Sequence, residues 1–191
     1  MVITLHADRR VHHAAAIGAQ LANAMAPLVR QAGVIFVASR PQLDLARHII
    51  PNEIARATLH HGSAAGGDVG AHLLVLAGRY EVTLALLAGA PIESVLSALD
   101  ASDRILLVSD PSVASLRATQ RWLRLCGSLG YGLEKVRVLL FDFAEDAPLA
   151  PSEAAAVLKS EIFGVIPGET TSAEQRASSY ARLAERLTAR P

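Results

Sequence analysis

Lysine is almost missing from this chain: 18 of the 191 residues are basic, and all but Lys135 and Lys159 are arginine. Chemistry that needs a lysine ammonium therefore has none to draw on before Lys135. Cysteine is reduced to Cys126, set in the run Trp122-Leu123-Arg124-Leu125-Cys126, which excludes a disulfide framework and a cysteine-rich metal site and suits a reducing compartment. Aromatic residues make up 4%, too few for a stacking platform on single-stranded nucleic acid. Net charge is also absent, since 18 acidic residues balance the 18 basic ones. No whole-molecule field draws the protein to nucleic acid or anionic lipid, so any such contact needs a local patch. The longest nearly uncharged stretch, Val82 to Leu99, is broken by Gly89, Pro91 and Glu93 and reads as strand, turn and helix rather than a membrane span. The opening Met1 to His6 meets Asp8, Arg9 and Arg10 before a signal-type apolar core can form. The expectation is a cytoplasmic protein with no integral membrane segment.

Apolar residues are plentiful, at 51%, enough for one domain spanning 1–191 around its own core. Short β-rich runs fall at Val2 to His6, Gly33 to Ala38, His72 to Ala77, Glu81 to Leu87, Arg104 to Val108, Val136 to Phe141 and Ile162 to Val165. Most show no in/out alternation, as expected of strands covered on both faces. Helical patterns lie between them at Ala14 to Val29, Ile54 to His60, Ile92 to Leu99, Ser112 to Leu129, Pro151 to Lys159 and Ala173 to Thr188. Two stretches read as loops, His60 to Gly70 and Ala144 to Pro151. The pattern predicts an α/β fold, a doubly wound and mostly parallel sheet with helices on both faces.

In such a fold the first strand-to-helix turn is the default phosphate site, because free N–H groups and the helix dipole favour an anion there. Here it reads Ala7-Asp8-Arg9-Arg10-Val11-His12-His13-Ala14-Ala15-Ala16 and contains no glycine, lysine or hydroxyl. A wrapped triphosphate with magnesium is not expected. A simple anion held by Arg9, Arg10, His12 and His13 remains chemically reasonable. All seven histidines, His6, His12, His13, His48, His60, His61 and His72, fall in the first 72 residues. None pairs at helical i, i+4 spacing and His12-His13 diverge, so no metal site is expected. The segment Gly62-Ser63-Ala64-Ala65-Gly66 fails the spacing of a nucleophile elbow, which removes serine hydrolase chemistry.

Asp110 and Pro111 read as N-cap and first position of the next helix. Along it Arg117, Arg121 and Arg124 form a basic stripe opposite Val113, Leu116, Leu123 and Leu125. The stripe is a solvated face or a partner surface, a protein partner fitting better than nucleic acid because no lysine reinforces it. Cys126, among Leu123 and Leu125, is expected to be a buried, unreactive thiol. The last helix carries Ala173, Ala177, Tyr180, Ala181, Ala184 and Leu187 along one side, a stripe suited to packing on the sheet rather than to membrane insertion.

The segment Val2-Ile3-Thr4-Leu5, the turn, and Ala15 to Ala26 resemble the opening of the MinD/ParA ATPases, which read strand, KGGVGKTT and an "ANLA"-type helix. Laid without gaps, that motif falls on Arg9 to Ala16, so Arg9, Arg10, Val11, His12, His13, Ala14 and Ala15 occupy degenerate nucleotide-site positions. The signature lysine becomes Arg9, the P-loop lysine Ala14 and the magnesium threonine Ala15. Gly33 to Arg40 resembles the "kVLLVDlD" strand with Ala38 in place of an aspartate, and Arg79 to Gly89 resembles "yDyVvvDtppG" with Ala85 in place of another. Asp100 to Arg117 is similar to "l..aD.vllVt.pdl.slr", nearest in feel to the pilus-assembly branch called CpaE or TadZ. Lys135 to Phe141 takes the place of "kv.lVlNr" without its asparagine, and Ile162 to Glu169 resembles "i.g.IPyd". The resemblance implies a three-layer, P-loop NTPase-like fold with a lost nucleotide site and no cofactor. The implied role is a non-catalytic interaction or localisation factor, in pilus assembly or polar positioning, with protein partners. A residual nucleotide-binding ATPase is the alternative. Either a monomer or a permanent homodimer is then expected, the dimer being favoured, its P-loop face filled by the turn Arg9 to His13 and the loop around His60.

Overall fold

The computed structural model describes residues 1–7, 11–38, 58–63, 68–143, 149–168 and 171–189. Among these, the chain runs through β1 (Val2–Ala7), α1 (Val11–Met25), β2 (Ala32–Ala38), β3 (Thr58–Ser63), α2 (Val69–Ala77), β4 (Val82–Ala88) and α3 (Ile92–Asp100). It continues through β5 (Arg104–Ser109), α4 (Val113–Ser128), β6 (Val136–Phe143), α5 (Pro151–Leu158), β7 (Ile162–Pro167) and α6 (Ala173–Thr188). The strands form one sheet in the order β3-β2-β4-β1-β5-β6-β7, every neighbouring pair parallel. The doubly wound reading of the sequence holds.

Both faces of the central strands are covered, which is why their sequences show no alternation. All six residues of β1 are buried. Ile3, Leu5, Leu84, Leu86, Val34 and Phe36 meet Ile17, Leu21 and Met25 of α1 and Tyr180, Leu183 and Leu187 of α6 on one face. Val2, Ile35, Ala85, Leu87, Ile105 and Leu107 meet Leu73 and Leu76 of α2, Val95 and Leu99 of α3 and Cys126 of α4 on the other. A smaller cluster joins Leu116 to Val138, Leu140, Ala154 and Leu158 under α5. Contact between α1 and β4 is close at Gly18, where an added Cβ would overlap the δ-carbons of Leu86.

Several sequence expectations are corrected here. His72 to Ala77 is helix, the second half of α2, not strand. Asp68 caps it by accepting from the Ala71 N–H, and the buried positions Val69, Gly70, Leu73 and Leu76 have helical spacing. Thr58–Ser63 is strand β3, so the end of the helix expected over Ile54 to His60 is wrong and the loop expected from His60 loses its first part; residues 39–57 and 64–67 lie outside the described residues. Helix α1 ends at Met25 rather than Val29. In α4 the N-cap is Ser112, accepting from the Ser115 N–H, while Asp110 accepts from the Ser112 N–H at 2.8 Å and Pro111 precedes the cap. Val113 is exposed rather than packed. In α6 the buried stripe is Ser179, Tyr180, Leu183, Ala184 and Leu187, with Ala173, Ala177 and Ala181 exposed, because the larger side chains turn to the sheet.

Candidate functional site

The winding order of the connections reverses in the middle of this sheet. From β1 the connection through α1 leads to β2 on one side, and from β5 the connection through α4 leads to β6 on the other. The crevice beyond the carboxyl ends of β1 and β5 is thus the switch point where doubly wound folds bind ligands, and the N-terminus of α1 opens on it. Register decides what the strand ends offer. Ala88 pairs with Ala7 on one side and with Ala38 on the other, and Ala38 pairs with Ser63. Three adjacent strands therefore end on alanine, a residue with no ligating atom in its side chain.

At the end of β5, Ser109 is buried, its Oγ donating to the Asp110 carbonyl at 3.2 Å and sharing a 3.3 Å contact with Ser115 Oγ. The Asp110 N–H donates to the same Ser115 Oγ at 3.1 Å. The hydroxyls of this turn hold the start of α4. Helix α1 begins Val11-His12-His13-Ala14-Ala15, so its first turn supplies backbone N–H groups and no lysine or hydroxyl. Among the described residues, the three alanine strand ends and this first turn offer no side-chain oxygen for a magnesium ion and no lysine for phosphates.

Beside the switch point, a cleft of about 470 Å³ opens between α1, the ends of β6 and β7, and α6. Ala16 and Gln20 form one wall, Phe141 and Pro167 the floor, and Arg176 and Tyr180 the other wall. Arg176 donates through Nη1 to the Thr171 carbonyl, which holds its guanidinium near the rim. The cleft combines aromatic surface with one cation, a set that suits a flat or anionic small molecule.

No family model and no curated protein matches the sequence. Solved structures do. The MinD cell division protein of Aquifex aeolicus is similar with a TM-score of 0.72 at 18% identity, covering 100% of this chain and 98% of that one. The septum site-determining protein MinD of Pyrococcus horikoshii, complexed with Mg-ADP, reaches 0.72 at 14% identity over 98% and 95% of the two chains. A ParA family ATPase of Chlorobium tepidum reaches 0.66 at 14% identity over 97% and 92%. The chain carries the MinD/ParA fold.

Within the MinD/ParA fold the sequence-selected residues separate into groups. Ala38 stands at a strand end beside the switch point, and Val11 to Ala15 open α1 there. Arg9 and Arg10 lie outside the described residues. Ala85 does not belong with them: it pairs with Thr4 in mid-strand, fully buried, three residues short of the strand end at Ala88. At about 3.3 Å per residue it sits some 10 Å below the crevice. Arg117, Arg121 and Arg124 are all exposed on α4. His6 is buried in β1 with its ring edge-on to Trp122 at 4.2 Å, while His72 is exposed on α2, so these two histidines do not converge. His60 and His61 lie in β3 and His48 outside the described residues. Among the described residues, no helix is long and apolar enough to cross a membrane. Sequence reading missed the cleft residues Phe141, Arg176 and Tyr180. The available signal was Tyr180, an aromatic side chain in a helix otherwise rich in alanine.

Proposed function

We propose that this chain is a non-catalytic protein of MinD/ParA type that works as an interaction or localisation factor, with pilus assembly or polar positioning as its setting. The observation that carries the reading is the row Ala38, Ala88 and Ala7 across three adjacent strand ends, in a chain with no lysine before Lys135. Retained packing with deleted ligating groups is what remains when a nucleotide site is lost and its scaffold is kept. The Pyrococcus horikoshii relative is complexed with Mg-ADP; in this chain Arg9, Arg10, His12 and His13 leave at most a simple anion at the corresponding turn. A protein without the nucleotide assembles without it, so the homodimer is permanent and is formed through the switch-point face. Light scattering at tens of micromolar should give the mass of two chains, unchanged by 1 mM Mg-ATP, and a fluorescent fusion should keep its cellular position when ATP is depleted. A single-chain mass, or one that doubles only with nucleotide, contradicts the reading.

A residual nucleotide-binding ATPase is the second reading. It draws on the cleft beside Phe141, Arg176 and Tyr180, where rings and a guanidinium offer surface to a base or an anion. ATP turnover abolished by Arg9→Ala would favour it.

A further inference from the structure

The sheet ends at β7, and the side of that strand away from β6 has no strand partner among the described residues. Ile162 to Val165 are only half-buried, whereas Leu139 and Leu140 next to them in β6 are fully covered. Between β7 and α6 lies a groove of about 290 Å³. Its one wall is the run Phe163 to Ile166. The other is Ser179, Arg182, Leu183 and Arg186, whose i, i+3, i+4, i+7 spacing makes them a single helix face. An unpaired strand edge beside a helix is the geometry in which an extended peptide adds to a sheet.

Positive charge is gathered along this groove. The Arg186 guanidinium lies 4.2 Å from the centre of the Phe163 ring and donates through Nη1 to the Phe163 carbonyl. Arg137, projecting from β6, lies 5.8 Å from the same ring. Arg182, one turn back on α6, reaches only Ser179 Oγ, at 3.4 Å. Arg104 donates to the Arg186 and Ala189 carbonyls at 3.0 Å each, which fixes the end of α6 against the sheet. Glu161 and Glu185 are the acidic residues nearest the groove in sequence and Glu134 the one nearest Arg137, and none of them pairs with Arg137, Arg182 or Arg186. Among the described residues, Arg137, Arg182 and Arg186 thus present cations with no carboxylate answering them.

We propose that the groove between β7 and α6 binds an extended acidic segment of a partner protein, laid along β7 as an added strand. Charge complementarity selects this occupant. A second copy of the chain would bring Arg182 and Arg186 against their own images, and like charges face to face oppose that pairing. An added strand turns alternate side chains to one face, so a segment with a carboxylate at every second residue meets the arginines with all of them. Pro167 has no N–H and closes the pairing edge at its far end. The site is separate from the switch-point crevice, and the inference stands whether or not nucleotide binds there.

A fluorescein-labelled peptide of alternating Val and Glu, eight residues long, tests it by fluorescence polarisation at 50 mM and 300 mM NaCl, with the matching Val/Lys peptide as control. Saturable binding of the Glu peptide is expected, weakened by salt, at least about tenfold weaker for R182E/R186E and unchanged for R117E/R121E/R124E. Amide exchange of residues 162–166 should slow in the complex. Arg182 is exposed and makes one weak bond, so R182E alone carries the test should the double variant melt early. Failure of the Glu peptide to bind at 1 mM, equal binding of the Val/Lys peptide, insensitivity to R182E, or protection away from β7 would each overturn the proposal. So would a chain mass that doubles through this groove, or binding of a DNA duplex there with no peptide binding.

Discussion

Ala85 pairs with Thr4 in the middle of the sheet, three residues before the pairing of Ala88 with Ala7 that marks the strand ends. The aspartate position suggested by the sequence resemblance is therefore interior packing, not the floor of the crevice. Thr4 beside it is committed elsewhere, its Oγ1 lying 2.6 Å from Ser102 Oγ in a buried hydrogen bond.

Ala85→Asp should consequently fail to restore magnesium binding and should destabilise the fold. Ala85 is fully buried among the apolar side chains of Ile35, Leu87 and Leu107, where a carboxylate is costly to desolvate. A loss of roughly 3 kcal/mol or more is expected in urea denaturation. Wild-type stability in this variant would contradict the packing described here.

Gly18 and Leu86 should show energetic coupling. In an open helix position Gly→Ala gains up to about 1 kcal/mol, but here the new methyl overlaps fully buried Leu86, and overpacking costs about 1–3 kcal/mol. Gly18→Ala should therefore destabilise the wild type and stabilise the Leu86→Ala variant, whose cavity takes the methyl. Additive effects in a double-mutant cycle would show that α1 and β4 are not in close contact.

How legible the protein was in its sequence depended on where each signal originates. Strands such as Arg104–Ser109 were evident because burial on both faces forces a continuous apolar run. Helix α2 was misread for the same reason: Leu74 and Val75 are exposed yet apolar, so no polar face announces the helical period, and only the Asp68 cap marks its start. Strand β3, Thr-Leu-His-His-Gly-Ser, reads as the end of a helix followed by loop because it is defined by pairing with β2 rather than by its own residues. The crevice after β1 could be placed from topology alone. The cleft could not, since it joins Gln20, Phe141 and Arg176, residues from elements far apart in the chain.

Burial pushes the Cys126 thiol above its ordinary pKa, against a smaller opposing pull from Lys135. The native state thus keeps its proton at a pH where the unfolded chain has lost it. Stability from this group is complete below about pH 8.5 and declines as pH rises from there towards the raised native value. Urea midpoints should fall between pH 8 and 9.5, and fall less in Cys126→Ala. A thiol reagent should label native protein only at the rate of unfolding, and fast labelling would contradict the burial of Cys126.

Isothermal titration of Mg-ATP into the chain measures the proposed loss of the nucleotide site directly. With alanine at the ends of β1, β2 and β4 and no lysine in the turn after β1, no saturable heat is expected up to millimolar nucleotide. A magnesium-dependent isotherm with a dissociation constant near 0.1 mM or below would contradict it.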